Sequence, residues 1–200
     1  MNLFLTLHEA INKPFSLYLN SFTDNVIIAK IIYLFADAPI FFLPLFLVGY
    51  WLYFNYKKEH QNKNILLFIF YSTLIAVIFS IFIQNLVHID RPEDSLHHAG
   101  KMILSHIPDA SFPSDHASVS SAFLMSLFLF WFIRIGLILL PFMVVMLFSR
   151  IAGWVHWPLD IVAGICIGCF SSFLVYKSQN INILVKINMY ILKFTSYFKL

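Results

Sequence analysis

Apolar positions in this chain fall in long, nearly unbroken runs rather than on one face at helical spacing. A membrane span needs about 20 mostly apolar residues, and five runs approach or reach that length. They extend from about Pro39 to Tyr56, Ile65 to Val87, Ala117 to Ile133, Ile135 to Ser149 and Pro158 to Tyr176. Only Arg134 separates the third from the fourth, which predicts a tight antiparallel hairpin. Asp37 is placed to cap the first run, Pro39 suits a first helical turn, and Trp51, Tyr53 and Tyr56 suit an interface. A shorter apolar stretch over residues 25–36, broken by Lys30, reads as an interfacial or re-entrant helix; as a true span it would make six. The tail from Ile181 to Leu200 sets Lys186, Lys193 and Lys199 among apolar residues, as a membrane-surface helix does. The expected fold is an all-α integral membrane protein. It is a bundle of five to six transmembrane helices with interfacial N-terminal and C-terminal helices, in one domain over residues 1–200.

Composition strengthens this picture. Charged residues make up 12% of the chain and hydrophobic ones 60%, whereas a soluble domain carries roughly a quarter charged residues. Lipid is the expected solvent, and no nucleic-acid partner is expected. Residues 1–24 interleave polar with apolar groups and show no secretory signal peptide, so insertion is expected to rely on the spans themselves. Cys166 and Cys169 lie inside an apolar run and read as small packing residues. Gly164 and Gly168 form a small-xxx-small pair that allows close helix contact, with a dimer face as the alternative. Oligomeric state is open at this level.

Charge placement then sets orientation. Five spans put Lys57, Lys58, Lys63, Arg134, Lys177, Lys186, Lys193 and Lys199 on one side. Arg91, Lys101 and Arg150 fall on the other, joined by Lys13 and Lys30 if the N-terminal region stays there. The richer side is expected to be cytoplasmic, which turns loops 88–116 and 150–157 outward.

Those two loops hold the polar chemistry: Arg91-Pro92 and Pro113-Ser114-Asp115-His116 in one, Ser149-Arg150, His156 and Asp160 around the other. Ionisable groups at a membrane boundary are costly unless paired or solvated, so their clustering points to function. Phosphate-ester cleavage needs such a set. Guanidinium forks match the equatorial oxygens, which suits Arg91 and Arg150 as a clamp. The start of the third span offers free N–H groups and a positive dipole end, with Ser114 beside it. A neutral imidazole can attack phosphorus while a second histidine protonates the departing oxygen. His156 and Asp160 are one helical turn apart, so the carboxylate can orient that ring. His156 is then the nucleophile, Asp160 its orienter and His116 the general acid. A zinc site from His88, His97, His98 and His106 with His116 is a weaker reading, because their spacing is irregular.

Taken in order, Arg91-Pro92, Pro113-Ser114-Asp115-His116 and Ser149-Arg150 with His156 and Asp160 resemble the three-part signature of the type 2 phosphatidic acid phosphatase superfamily. The motifs lie within residues 84–160. The resemblance implies a phosphohistidine intermediate, no metal or other cofactor, phosphate-binding arginines and a lipid phosphate or diphosphate substrate. The phrase from Ile107 to Ala117 looks like the bacterial undecaprenyl-diphosphate phosphatases of the bacitracin-resistance type. That implies a multi-pass protein of the bacterial inner (cell) membrane, with its site facing the periplasm or exterior and a part in cell-wall biogenesis. Phosphatidic acid, phosphatidylglycerol phosphate and a lipid A phosphate are alternative substrates, and a catalytically silent lipid-binding protein is the alternative from another class. Two positions depart from the signature. Gln84 stands where members often carry lysine, and Lys101 is a candidate replacement. Asp115 stands where many have glycine, so its carboxylate should point away from the anion site.

Overall fold

A computed structural model describes residues 8–95, 99–104 and 110–197, and every regular element there is helical. After a π-helical turn, His8–Asn12, the helices are α1 (Lys13–Ser21), α2 (Val26–Lys57), α3 (His60–Leu86), a single turn α4 (Pro92–Ser95), α5 (Asp115–Leu129), α6 (Ile133–Ala152), α7 (Pro158–Ser178) and α8 (Asn182–Tyr197). Helices α2, α3, α5, α6 and α7 run alternately between two ends of one bundle. Among the described residues α3, α6 and α7 are each long and apolar enough to cross a membrane. Segments Ala10–Asp24 and Val26–Ala38, bent by 117° at their break, would together supply a fourth. At 15 residues α5 is shorter than a usual span; it is the shielded centre of the bundle, packed on α3, α6 and α7.

Two expectations about boundaries are corrected. Residues 25–36 are not a separate interfacial helix. They continue into the first span as one helix of 32 residues, with Asn25, not Asp37, as its cap. The Asn25 Oδ1 accepts from the amides of Ile27 and Ile28 at 2.9 and 3.3 Å, and this local cap starts the helix ahead of Lys30. Asp37 therefore lies inside α2. The hairpin also turns earlier than Arg134, which belongs to α6. The chain reverses at Trp131, whose φ is 68°, and the Phe132 amide closes the turn by donating to Leu127 O at 2.8 Å.

The central contact is α5 on α7, and small residues make it possible. A Cβ at Gly164 would lie 2.6 Å from both Ala117 Cβ and Ser114 O, and one at Gly168 would collide with Ser118 O and Ser121 Oγ. This glycine pair thus serves contact within the chain. The same approach brings the starts of α5 and α7 together, and the Ser114 amide donates to Asp160 O at 3.2 Å. Helix α1 is pinned to this end as well: Asn20 donates to Ala152 O at 2.7 Å, and Asn12 Oδ1 accepts from the Leu159 amide at 3.0 Å. The N-terminal basic residues accordingly lie at the end that carries Arg91 and Arg150.

Candidate active site

The turn between α6 and α7, Gly153 to Trp157, is the floor of the site. Trp154, Val155 and Trp157 are buried there, and Trp157 Nε1 donates to Asp90 O at 2.9 Å. That bond brings the Asp90-Arg91 segment against the turn. Arg91 Nη1 donates to Val155 O at 2.6 Å and lies 3.5 Å from His156 Nε2. From the neighbouring segment, the Ser111 amide donates to Ile89 O at 2.8 Å. Arg91, Ser111, Ser114, Arg150, His156 and Asp160 are all buried, none more than 3% exposed.

His156 has a defined tautomer. Its Nδ1 lies 3.0 Å from Ser111 O; a carbonyl only accepts, so Nδ1 carries the proton and the Nε2 lone pair is left toward Arg91. Burial, and then the nearby charges of Arg150, Arg91 and His116, hold this imidazole well below the usual histidine range. It is neutral, the form that can attack phosphorus. Asp160 meets the ring less directly than its i,i+4 spacing suggests. Its Oδ2 is 3.6 Å from Nδ1, beyond hydrogen-bond reach, and accepts from Ser111 Oγ at 2.5 Å and from the Trp157 amide at 2.8 Å. Asp160 thus fixes the two segments that flank His156, with Ser111 standing between carboxylate and ring. Nothing in the sequence singles out Ser111, because its part depends on a contact across 45 residues.

The second histidine is carried by the first turn of α5. His116 Nε2 lies 2.9 Å from Asp37 Oδ1, and the same oxygen accepts from Arg150 Nη1 at 2.5 Å. Sequence reasoning gave Asp37 only a capping part. The signal available was a lone carboxylate within an apolar run. Ser114 is the residue before α5, yet its side chain makes no capping bond. The Ser114 Oγ is buried without a hydrogen-bond partner among the described residues, at the positive end of a helix where an anion is favoured.

Asp115 points away, as expected. Its Oδ1 accepts from Ser80 Oγ at 2.5 Å and from Gln84 Nε2 at 3.0 Å. Gln84 also donates to Pro113 O at 3.0 Å, so it tethers the Pro113–Asp115 segment to α3. Lys101 faces elsewhere: its side chain borders a surface hollow with Val26, Lys30 and Tyr33. Of the histidines weighed for zinc, His97, His98 and His106 lie outside the described residues, and His88 is 3.8 Å from Asp90.

Below this polar set, a cavity of about 420 Å³ opens between α2, α5 and α6, a volume in the range of small-ligand pockets. Leu34, Phe35, Ala38, Phe42, Met143 and Met146 are among its walls. It adjoins the polar set, since Ala38 follows Asp37, Ser120 is one turn from His116 and Met146 one turn from Arg150.

A model of the PAP2 superfamily matches residues 64–184. The chain belongs to the PAP2 superfamily. The match takes in both histidines and both buried arginines and leaves Asp37 outside it. Three relatives share this PAP2 chain's sequence over much of its length. The "Bacitracin transport permease protein BcrC" of Bacillus licheniformis is 30% identical over 146 residues, 73% of this chain and 69% of that protein. The "Putative undecaprenyl-diphosphatase YbjG" of Escherichia coli K12 is 35% identical over 113 residues, 52% of this chain and 56% of that one. The "Undecaprenyl-diphosphatase BcrC" of Bacillus subtilis 168 is 26% identical over 159 residues, 78% of each. In fold, this PAP2 chain resembles the crystal structure of Aquifex aeolicus LpxE, with a TM-score of 0.66 at 19% identity, covering 83% of this chain and 94% of that one.

Proposed function

We propose that this protein hydrolyses undecaprenyl diphosphate to undecaprenyl phosphate and phosphate, by way of a phosphohistidine on His156. The observation that carries the reading is a buried, cationic cluster at the start of α5 with an apolar cavity at its edge. Arg91, Arg150 and the Ser114 hydroxyl bind the terminal phosphate. Nε2 of His156 attacks phosphorus, while Nδ1 keeps its proton and goes on donating it to Ser111 O. The bond from that terminal phosphorus to the oxygen bridging the two phosphates breaks, and His116 gives its proton to that oxygen as undecaprenyl phosphate departs. Water then attacks the phosphohistidine, neutral His116 takes a proton from it, and inorganic phosphate leaves.

The choice of His116 as acid is supported by where the site is open. The His116 and Asp37 side chains are 23% and 39% exposed, while His156 and the arginines are closed off, and the apolar cavity lies on that open edge. A lipid tail resting there places the leaving oxygen beside His116. The relatives named for undecaprenyl diphosphate support the choice of lipid, and the reaction as written calls on no metal. The distribution of basic residues supports an orientation with this site toward the periplasm or exterior, and the bacterial relatives support a multi-pass protein of the inner membrane that recycles a cell-wall carrier and acts in bacitracin resistance.

A phosphate-release panel on purified protein tests the proposal, comparing undecaprenyl diphosphate with phosphatidic acid, phosphatidylglycerol phosphate and a lipid A phosphate. The diphosphate should give the highest kcat/KM, unaffected by EDTA, and His156→Ala should reduce it by at least ~10³-fold. A strong preference for a monoester would move the substrate assignment. Activity lost to EDTA and restored by zinc or magnesium would overturn the two-histidine scheme, and release that survives His156→Ala would remove the covalent step.

A further inference from the structure

Asp37 belongs to no motif of the signature and to no part of the scheme above, yet one of its oxygens touches two groups of that scheme. Its Oδ1 is 2.9 Å from His116 Nε2 and 2.5 Å from Arg150 Nη1. It is carried on α2, the helix that also walls the apolar cavity through Leu34, Phe35, Ala38 and Phe42. An acidic residue in such a helix is expensive unless paired, and here it is paired with both groups at once. Arg150 also needs a counter-charge when no phosphate is bound, because an unpaired buried guanidinium is strongly destabilising.

We propose that Asp37 is the positioning residue for the general acid: its carboxylate orients the His116 ring toward the leaving oxygen, favours its protonated form, and relays the state of Arg150 to it. The inference rests on His116 being the acid. A carboxylate only accepts, so His116 Nε2 carries a proton committed to Asp37. The proton that leaves is then the one on Nδ1. It passes to the oxygen on the lipid side as the P–O bond breaks, and it returns from water when the phosphohistidine is hydrolysed. Asp37 stays a carboxylate throughout. When the substrate phosphate takes up Arg150, the Asp37 charge is left to His116 alone, so the protonated form of His116 is favoured most once the site is filled.

A structural part for Asp37 and this positioning part differ in how they depend on the leaving group. An acid matters most when the departing oxygen is a poor leaving group. The test measures kcat and KM of wild type, Asp37→Asn and Asp37→Glu on decyl phosphate, which releases an alkoxide, and on p-nitrophenyl phosphate, which needs little protonation. Asp37→Asn should lower kcat on decyl phosphate by about 10²-fold and on p-nitrophenyl phosphate by several-fold at most, with KM unraised, and Asp37→Glu should recover part of the loss. The ratio of the two losses does not depend on how much of a variant folds. If Asp37→Asn folds too poorly to measure, the same ratio is read on Asp37→Glu. Equal losses on both substrates, a loss confined to KM, or no loss would each overturn the inference. Wild-type protein that releases phosphate from neither ester nor from undecaprenyl diphosphate would instead overturn the reading beneath it.

Discussion

The two ends of the bundle both bury polar side chains, and they do it in opposite ways. At the far end the buried groups are closed among themselves. Lys63 is 1% exposed, donates to Asn55 Oδ1 at 2.9 Å, and sits 4.3 Å over the Trp51 ring. The Tyr71 hydroxyl donates to Asn188 Oδ1 at 2.8 Å, and Asn188 Nδ2 donates to Asn64 Oδ1 at 2.6 Å, which docks α8 on α3. An aromatic core of Phe54, Phe68, Phe123 and Phe130 lies beside these pairs. At the site end the scaffold bonds run through Ser111, Trp157 and Gln84, while a neutral imidazole nitrogen and the Ser114 hydroxyl are kept aside from them. A buried hydroxyl with no partner costs about 1–3 kcal/mol. Polar burial at the far end therefore contributes stability, and at the site end it gives some up to hold a place for an anion.

Ser114→Ala is the sharpest way to break that comparison at the site end. The substitution removes a hydroxyl that has no partner among the described residues, so stability should hold or rise slightly. It also removes a donor to the phosphate oxygens, so kcat/KM for undecaprenyl diphosphate should fall by about 10²-fold, the usual loss for one such donor. Phosphate release and a thermal-unfolding curve in detergent check both halves. Unchanged kcat/KM would mean that the orphan hydroxyl is not part of the phosphate site.

Asn188→Ala is the mirror experiment at the far end. It leaves Tyr71 Oη and Asn64 Oδ1 without their partner, and a buried polar group left unsatisfied costs about 1–3 kcal/mol. Stability should fall by that amount while kcat/KM stays within about twofold, since α8 docks on α3 at the other end of the bundle. A loss of activity in protein that remains folded would show that the two ends are coupled, and the division drawn between them would fail.

The same division accounts for what the sequence made legible. Hydrophobic runs mark a lipid solvent directly, so the helical bundle and its alternating course were readable, as were the paired histidines and arginines at one end. Boundaries set by single local bonds were not. Asn25 caps α2 twelve residues before Asp37, and Trp131 turns the chain in a left-handed conformation that no pattern of apolar residues announces. Contacts made by chain crossing were also hidden. Asp37 reaches Arg150 across 113 positions, and Ser111 reaches Asp160 across 49. In the far half, where motif and spacing say little, Asn188 reads as one polar residue of a surface helix until α3 is seen beside it.

The smallest expected effect concerns Lys101, the candidate substitute for the lysine that Gln84 replaces. A substitute should bring an ammonium to the phosphate pocket. The backbone of Lys101 is fixed by its amide donating to Asn20 Oδ1 at 2.8 Å and by its carbonyl accepting from Asn20 Nδ2 at 2.9 Å. Its side chain is exposed and shares a hollow with Lys30 and Tyr33 of α2, near the start of that helix. Asp37 lies about 10 Å further along the axis from Lys30, at 1.5 Å per residue. Gln84, meanwhile, is occupied with Pro113 and Asp115, and serves by holding the start of α5 rather than by adding charge. Lys101→Ala should therefore leave both KM and kcat within about twofold, since an exposed cation at this distance is largely screened at physiological salt. A clear rise in KM for the diphosphate would show instead that the loop carrying Lys101 closes over the bound head group. The missing lysine would then have been replaced after all, and by a residue from the surface.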